Sequence, residues 1–200
     1  CSTRSSLPCV AGAIRTVPIR DLAAMEAALA PRDVAAVILE ADGPAGGAVP
    51  TGSGTITILS TDSIYFNVAV TITGTLKNQS GRLGFDTTKT ITFSNGSVYE
   101  HAFNGGSIPK ATWSTGSTCL ITGAVGNAPS NGNQNFYNLI WNCPGQTGGL
   151  NLAMAGNTIG GYVKVINSGS QGCRLTASGT ANGKKTITIN GDAIVDSSVG

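Results

Sequence analysis

The sequence predicts a mainly β chain: a right-handed parallel β-helix, or solenoid, with a short helix–strand appendage at its N-terminus. Three observations predict it. The residue alphabet changes near Pro50: the first 50 of 200 residues contain no Asn, Gln, Lys, His, Phe, Tyr or Trp, and the remainder holds all 15 Asn and 24 of the 28 Gly. Beyond that point apolar residues recur with a period of two in short runs rich in Thr and Ile, the pattern of half-buried strands. Such runs return roughly every 18–25 residues, within the spacing of solenoid repeats. An antiparallel β-sandwich also uses strands of 4–6 residues and frequent turns, and is the alternative.

Two regions follow from the change of alphabet: residues 1–50, a helix–strand piece and linker, and residues 51–200, a repeat module. In the first, Asp21 to Ala30 reads as a helix. Asp21 suits the N-cap or first turn, and Leu22, Met25, Ala28 and Leu29 share one face. Pro31 ends it. Val34 to Leu39 is a continuous apolar run that reads as a strand covered on both faces, and Ala41 to Gly47 as a turn or linker.

From Thr51 the period becomes two. Gly54 to Leu59, Val68 to Thr73, Thr90 to Phe93 and Thr186 to Ile189 alternate polar and apolar. Turn signals bracket them: Asn95-Gly96, Asn104-Gly105-Gly106, Asn131-Gly132, Asn182-Gly183 and Asn190-Gly191. The word Lys89-Thr90-Ile91-Thr92-Phe93-Ser94-Asn95-Gly96 is echoed by Lys185-Thr186-Ile187-Thr188-Ile189-Asn190-Gly191, and more loosely by Val70 to Leu76. Each repeat is read as one coil, with apolar side chains stacking inward and Asn and Gly taking left-handed corner positions. Rows of Thr and Asn are expected to bond to their equivalents in adjacent coils.

Composition excludes several functions. Lys and Arg number 12 against 10 Asp and Glu, and charged residues make up 11%, against a usual value of about 25%. With no basic stripe to neutralise phosphates, a nucleic-acid partner is not expected. No run approaches the ~20 apolar residues of a membrane-spanning helix. The five cysteines (Cys1, Cys9, Cys119, Cys143, Cys173) form no C-x-x-C pair and there is one histidine, so zinc spacing is absent. Cys119, Cys143 and Cys173 read as small buried side chains that could stack on adjacent turns, with a disulfide the alternative. There is no phosphate loop and no Gly-x-Ser-x-Gly elbow. No catalytic, metal or cofactor residues are assigned. The N-terminus has no hydrophobic signal core and the chain stops just after a strand-like run. The expectation is a fragment of a larger protein.

Two resemblances add to this reading. Asp21 to Leu29 and Asp33 to Glu40 resemble class III pyridoxal-phosphate aminotransferases of the glutamate-1-semialdehyde aminomutase type, over about residues 11–50. The family follows this Glu with Pro, where here Ala41 stands, and its Schiff-base lysine lies in a context that none of Lys77, Lys89, Lys110, Lys164, Lys184 and Lys185 shares. The resemblance implies a severed piece without transaminase activity, and no cofactor. Tyr99 to Trp113, Ser117 to Gly123 and Asn135 to Gln146 resemble segments of large surface proteins exported by the type IX secretion system, over roughly residues 55–200. That resemblance implies an extracellular or cell-surface location and an adhesin-like repeat architecture rather than a reaction.

Candidate sites are few. Glu100 and His101 face opposite ways in a strand and read as a solvated pair beside a turn. Asp62, Asp86, Asp192 and Asp196 could pair for glycoside cleavage only at a carboxyl separation of about 5–10 Å. Tyr99, Trp113, Tyr137 and Trp141, with Phe136, could form a sugar-stacking platform, although alternation puts Tyr137, Leu139 and Trp141 on a core-like face. The sequence thus predicts a non-catalytic extracellular structural module. A glycan or a matrix component is the possible partner, and a carbohydrate-binding or polysaccharide-cleaving β-helix is the alternative.

Overall fold

The computed structural model of the chain describes Ala23, Ala27 and residues 54–176 and 185–196. The chain divides into two units, Cys1–Val37 and Ile38–Gly200. In the first, Ala23 and Ala27 are helical and exposed, within the span predicted as a helix. The rest of that span, the run 34–39, the junction at Pro50, Cys1 and Cys9 lie outside the described residues.

The described part of the second unit is a parallel β-solenoid. The first coil contains β1 (Thr55–Ile58), β2 (Ser63–Phe66) and β3 (Val70–Ile72). The second contains β4 (Thr75–Asn78), β5 (Arg82–Phe85) and β6 (Ile91–Phe93). The third keeps only β7 (Val98–His101) and β8 (Thr112–Trp113), and the fourth only β9 (Thr118–Ile121). The fifth has β10 (Asn138–Asn142), β11 (Leu150–Asn151) and β12 (Thr158–Ile159). The sixth has β13 (Val163–Asn167), β14 (Cys173–Arg174) and β15 (Thr188–Ile189), and β16 (Ala193–Val195) begins a seventh.

One face is a seven-stranded sheet in the order β1-β4-β7-β9-β10-β13-β16. Every strand pair is parallel, which excludes the antiparallel sandwich. Equivalent positions run Thr55, Thr75, Val98, Thr118 and Asn138, then Leu139 to Val163, steps of 20–24 residues; Val163 to Ala193 is a step of 30. The other two faces are interrupted. One holds the pair β2-β5, then a single bridge Ser107–Ser130, then β11-β14; the other holds β3-β6-β8, a bridge Phe136–Ile159, and β12-β15. The repeated Thr-Ile-Thr words occupy this last face as β3, β6 and β15, and the residues after them turn the corner into the next strand of the long sheet.

The period-two reading gives the core directly. On the long sheet, Leu76, Tyr99, Cys119, Leu139 and Val163 stack in one inward column, and Ile58, Asn78, His101, Ile121 and Trp141 in the next. Between them Lys77 and Glu100 point outward and pair at 2.9 Å. On the third face Ile72, Phe93 and Trp113 stack, with the Phe93 and Trp113 rings 4.4 Å apart and nearly parallel at 10°. Burying each such side chain is worth about 1.5–3 kcal/mol, and a parallel stack presents like against like at every coil.

The polar rows behave differently from expectation. Asn and Gln side chains bond mainly to the main chain of the neighbouring coil, not to their equivalents. Asn104 Oδ1 accepts the amides of Val125, Gly126 and Asn127 at 2.9, 3.0 and 2.9 Å. Asn135 Oδ1 accepts the Thr158 amide, and Asn131 Nδ2 donates to Ile108 O. Irregular corners leave backbone donors that no ladder satisfies, and a carboxamide reaching across one coil spacing meets that need.

Cys119, Cys143 and Cys173 are free thiols, the first two buried and the third half-buried. They do not form one column. Cys119 lies in the Tyr99–Leu139 column, whereas Cys143 follows β10 and its Sγ donates to Ile121 O at 3.4 Å.

Candidate functional site

The second face breaks between the second and third coils. β5 enters through a tight corner, with Ser80 at φ 73° and Gly81 pressed so closely on the first coil that a Cβ would fall on Leu59 O and Ile58 Cγ2. Arg82 N donates to Asp62 O at 2.9 Å and Asp86 N to Phe66 O at 2.8 Å. In a parallel ladder alternate residues bond to the same neighbour, so the amides of Leu83 and Phe85 face the other way, toward the third coil. No strand meets them there. After β7 the third coil instead turns through Gly105 and Gly106, at φ 70° and 69°, and rejoins the face at the Ser107–Ser130 bridge.

The gap is a cleft of about 300 Å³. Arg82, Gly106 and Ser107 form its exposed rim, Leu83, Phe85 and Phe103 its half-buried walls, and Asn78, Ile108 and Pro109 its buried end. Arg82 has no ion-pair partner among the described residues. Asn78 is 3% exposed, and its Oδ1 has no hydrogen-bond partner.

A buried polar chain lies beside that amide, starting at its register partner His101. His101 is fully buried; its Nε2 lies 2.7 Å from Gly105 O and its Nδ1 3.1 Å from the Tyr99 hydroxyl. A carbonyl only accepts, so Nε2 carries the proton and Nδ1 is the acceptor. The Tyr99 hydroxyl therefore donates to Nδ1. Burial drives the His101 pKa down, with the Gly105 carbonyl opposing, and burial pushes the Tyr99 phenol far up. Both groups are neutral. The Phe103 ring packs on the His101 ring at 4.1 Å, joining the polar chain to the wall.

His101 is thus not the solvated residue the sequence suggested. It and Glu100 do face opposite ways, but the inward side at β7 is closed by neighbouring coils, and only Glu100 reaches solvent, held by Lys77 and by Thr122 Oγ1 at 3.0 Å.

The four predicted aromatic contacts do not come together on a surface. Tyr99 and Trp141 are 0% and 1% exposed, and the Trp141 indole donates to Gln146 Oε1 at 2.8 Å. Both belong to the inward columns, so neither offers a face to a sugar. Trp113 is half-buried between Phe93 and Phe136, with its indole N–H on Gln134 Oε1 at 3.0 Å. Tyr137 is half-buried over the Gly160–Gly161 corner, where a Cβ on Gly161 would fall 2.9 Å from its ring. The simple alternation fails at its start. Phe136 is core on the third face, and the phase resets at the corner before Asn138, so that Leu139 and Trp141 point inward on the long sheet.

Two acids serve turns. Asp62 Oδ2 accepts the Leu59 amide at 2.9 Å. Asp86 Oδ1 accepts the Thr88 amide at 2.9 Å and its hydroxyl at 2.8 Å, which holds its carboxyl below the ordinary range. Among the described residues no group of three His, Cys, Asp or Glu side chains could hold a metal ion, and no helix is long and apolar enough to cross a membrane.

Asn78, Arg82, Phe85 and Phe103 are missing from the sequence-predicted set. One signal was available: Asn78 stands at an inward position of the run Leu76-Lys77-Asn78, where the period calls for an apolar residue. No protein-family model, curated protein or solved structure matches the chain.

Proposed function

We propose that residues 51–200 are a non-catalytic, extracellular surface module, an adhesin-like spacer within a larger protein. The uninterrupted seven-stranded ladder carries this reading. At a strand spacing of about 4.8 Å it makes a stiff rod roughly 30 Å long. Its polar side chains are spent largely on tying coils together: Asn104, Asn131, Gln134, Asn135 and Gln146 all bond to main chain more than twenty residues away. The type IX-like words 99–113, 117–123 and 135–146 support the surface location. Antibodies against the module should label intact cells of the source organism without permeabilisation. Labelling only after permeabilisation would overturn the location.

The cleft favours a second reading, a carbohydrate-binding module. It joins two aromatic walls and an exposed guanidinium in a volume of about 300 Å³ that suits one sugar ring. Binding of any member of a saccharide panel to the full chain tests it.

A further inference from the structure

We propose that Asn95, at the corner between β6 and β7, is a site of spontaneous covalent modification driven by the chain's own backbone. The Gly96 amide nitrogen attacks the Asn95 carboxamide carbon. A C–N bond forms to the backbone, the bond to the side-chain nitrogen breaks, and that nitrogen leaves as ammonia with the Gly96 amide proton. Water then opens the resulting succinimide at either of its two carbonyls, which leaves aspartate or isoaspartate at position 95.

Asn-Gly pairs favour this cyclisation because glycine has no Cβ to obstruct its own nitrogen. Four such pairs lie among the described residues, at Asn95, Asn104, Asn131 and Asn190. Three are held shut. Asn104 Oδ1 is clamped by the amides of Val125, Gly126 and Asn127, and Gly105 N donates to Asn127 O at 3.1 Å. Asn131 is half-buried at φ 61°, its Nδ2 donates to Ile108 O at 3.1 Å, and Gly132 is buried against the Leu152 carbonyl. Around Asn190 the backbone is tied on both sides: Asn190 N donates to Ile159 O at 3.0 Å and Gly191 N to Gly161 O at 2.8 Å. Asn95 differs. It and Gly96 are exposed. Its carboxamide rests against Gly116 and makes no hydrogen bond among the described residues. Gly96 N reaches Gly116 O only at 3.3 Å, beyond the usual span of about 2.7–3.2 Å. One turn, closed by Ser97 N on Ser94 O at 3.1 Å with Gly96 at φ 76°, holds the pair. Opening that exposed turn frees both reacting groups. Either product puts a negative charge on this corner, and isoaspartate also adds a methylene to the short backbone link between Phe93 and Val98.

The test is incubation of the full chain in mildly alkaline buffer made with heavy-oxygen water, followed by peptide mass spectrometry at successive times. The Asn95 peptide should exchange its amide for an acid carrying one heavy oxygen at least tenfold faster than the peptides of Asn104, Asn131 and Asn190. In urea the four rates should converge to within a few-fold, which shows that the fold and not the sequence sets the order. A protein isoaspartyl methyltransferase should label the aged chain at this peptide, and Asn95→Thr should remove that label. Threonine suits the position, because the equivalent turn of the next coil reads Ser114-Thr115-Gly116-Ser117 with the same closing bond, Ser117 N on Ser114 O at 3.0 Å. Equal rates at all four sites in the folded chain, a faster rate at Asn104, Asn131 or Asn190, or an acid product without heavy oxygen would overturn the proposal.

Discussion

Replacing Tyr99 by Phe removes one oxygen from the middle of the core and tests the buried polar chain. The hydroxyl is fully enclosed and donates to His101 Nδ1 at 3.1 Å. An ordinary net hydrogen bond is worth about 1 kcal/mol, but a buried group stripped of its partner costs about 1–3 kcal/mol. Tyr99→Phe strips one, the imidazole Nδ1. The ring stays, so no cavity is added. The expected loss is therefore about 1–3 kcal/mol. Urea unfolding of the full chain at pH 8, where the imidazole is neutral, followed by far-ultraviolet circular dichroism, measures it. The double variant Tyr99→Phe/His101→Leu removes donor and acceptor together. It should lose less than the sum of the single changes, with a coupling of about 1–2 kcal/mol. A loss below about 0.5 kcal/mol, or simple additivity, would refute the chain as described.

Three further outcomes follow from particular groups. His101 is the only histidine, and its pKa is lowered from 6.5. The unfolded chain therefore takes up a proton before the folded one does: stability is full above pH 6.5 and falls as pH drops through the folded value, by up to about 1.4 kcal/mol per pH unit. Urea midpoints between pH 8 and 5 should show this slope, and His101→Gln should lack it; an unchanged slope would place the titrating group elsewhere. Asn104→Ala, which leaves three amides without their shared acceptor, should cost about 1–3 kcal/mol, whereas Asn104→Asp should retain stability at pH 7 and lose it in acid; hydrogen exchange at Val125, Gly126 and Asn127 reports the site directly. Burial pushes Cys143 up to about 11 and Cys173 to about 12, and Cys119 higher still. These three thiols should resist alkylation at pH 8 until the chain is unfolded, as peptide mass spectrometry would show; rapid native labelling of Cys119 would contradict its enclosure.

Alternation in Gly54 to Leu59 and Val68 to Thr73, together with the Thr-Ile-Thr words, sufficed to predict stacked coils and an inward apolar column. The reason is local: a strand's side chains alternate whatever lies beyond it, and Asn-Gly pairs bend the backbone wherever they occur. A repeat of about twenty residues then leaves little choice but to stack. Corners escape this logic, because one residue gained or lost there reverses which side chains point inward. That reversal put Phe136 into the core on a different face from Leu139 and Trp141, and left Tyr137 half-buried at a turn, so the proposed aromatic platform dissolved into core and corner packing. Burial of His101 also depended on other coils: Asn78 and Ile121 flank it from either side, and its neighbour Glu100 reaches solvent from the same strand. The cleft is the clearest case of a tertiary decision. It exists because the third coil omits a strand that the second one has, and an absent partner is a property of two coils together, which no single run of residues carries.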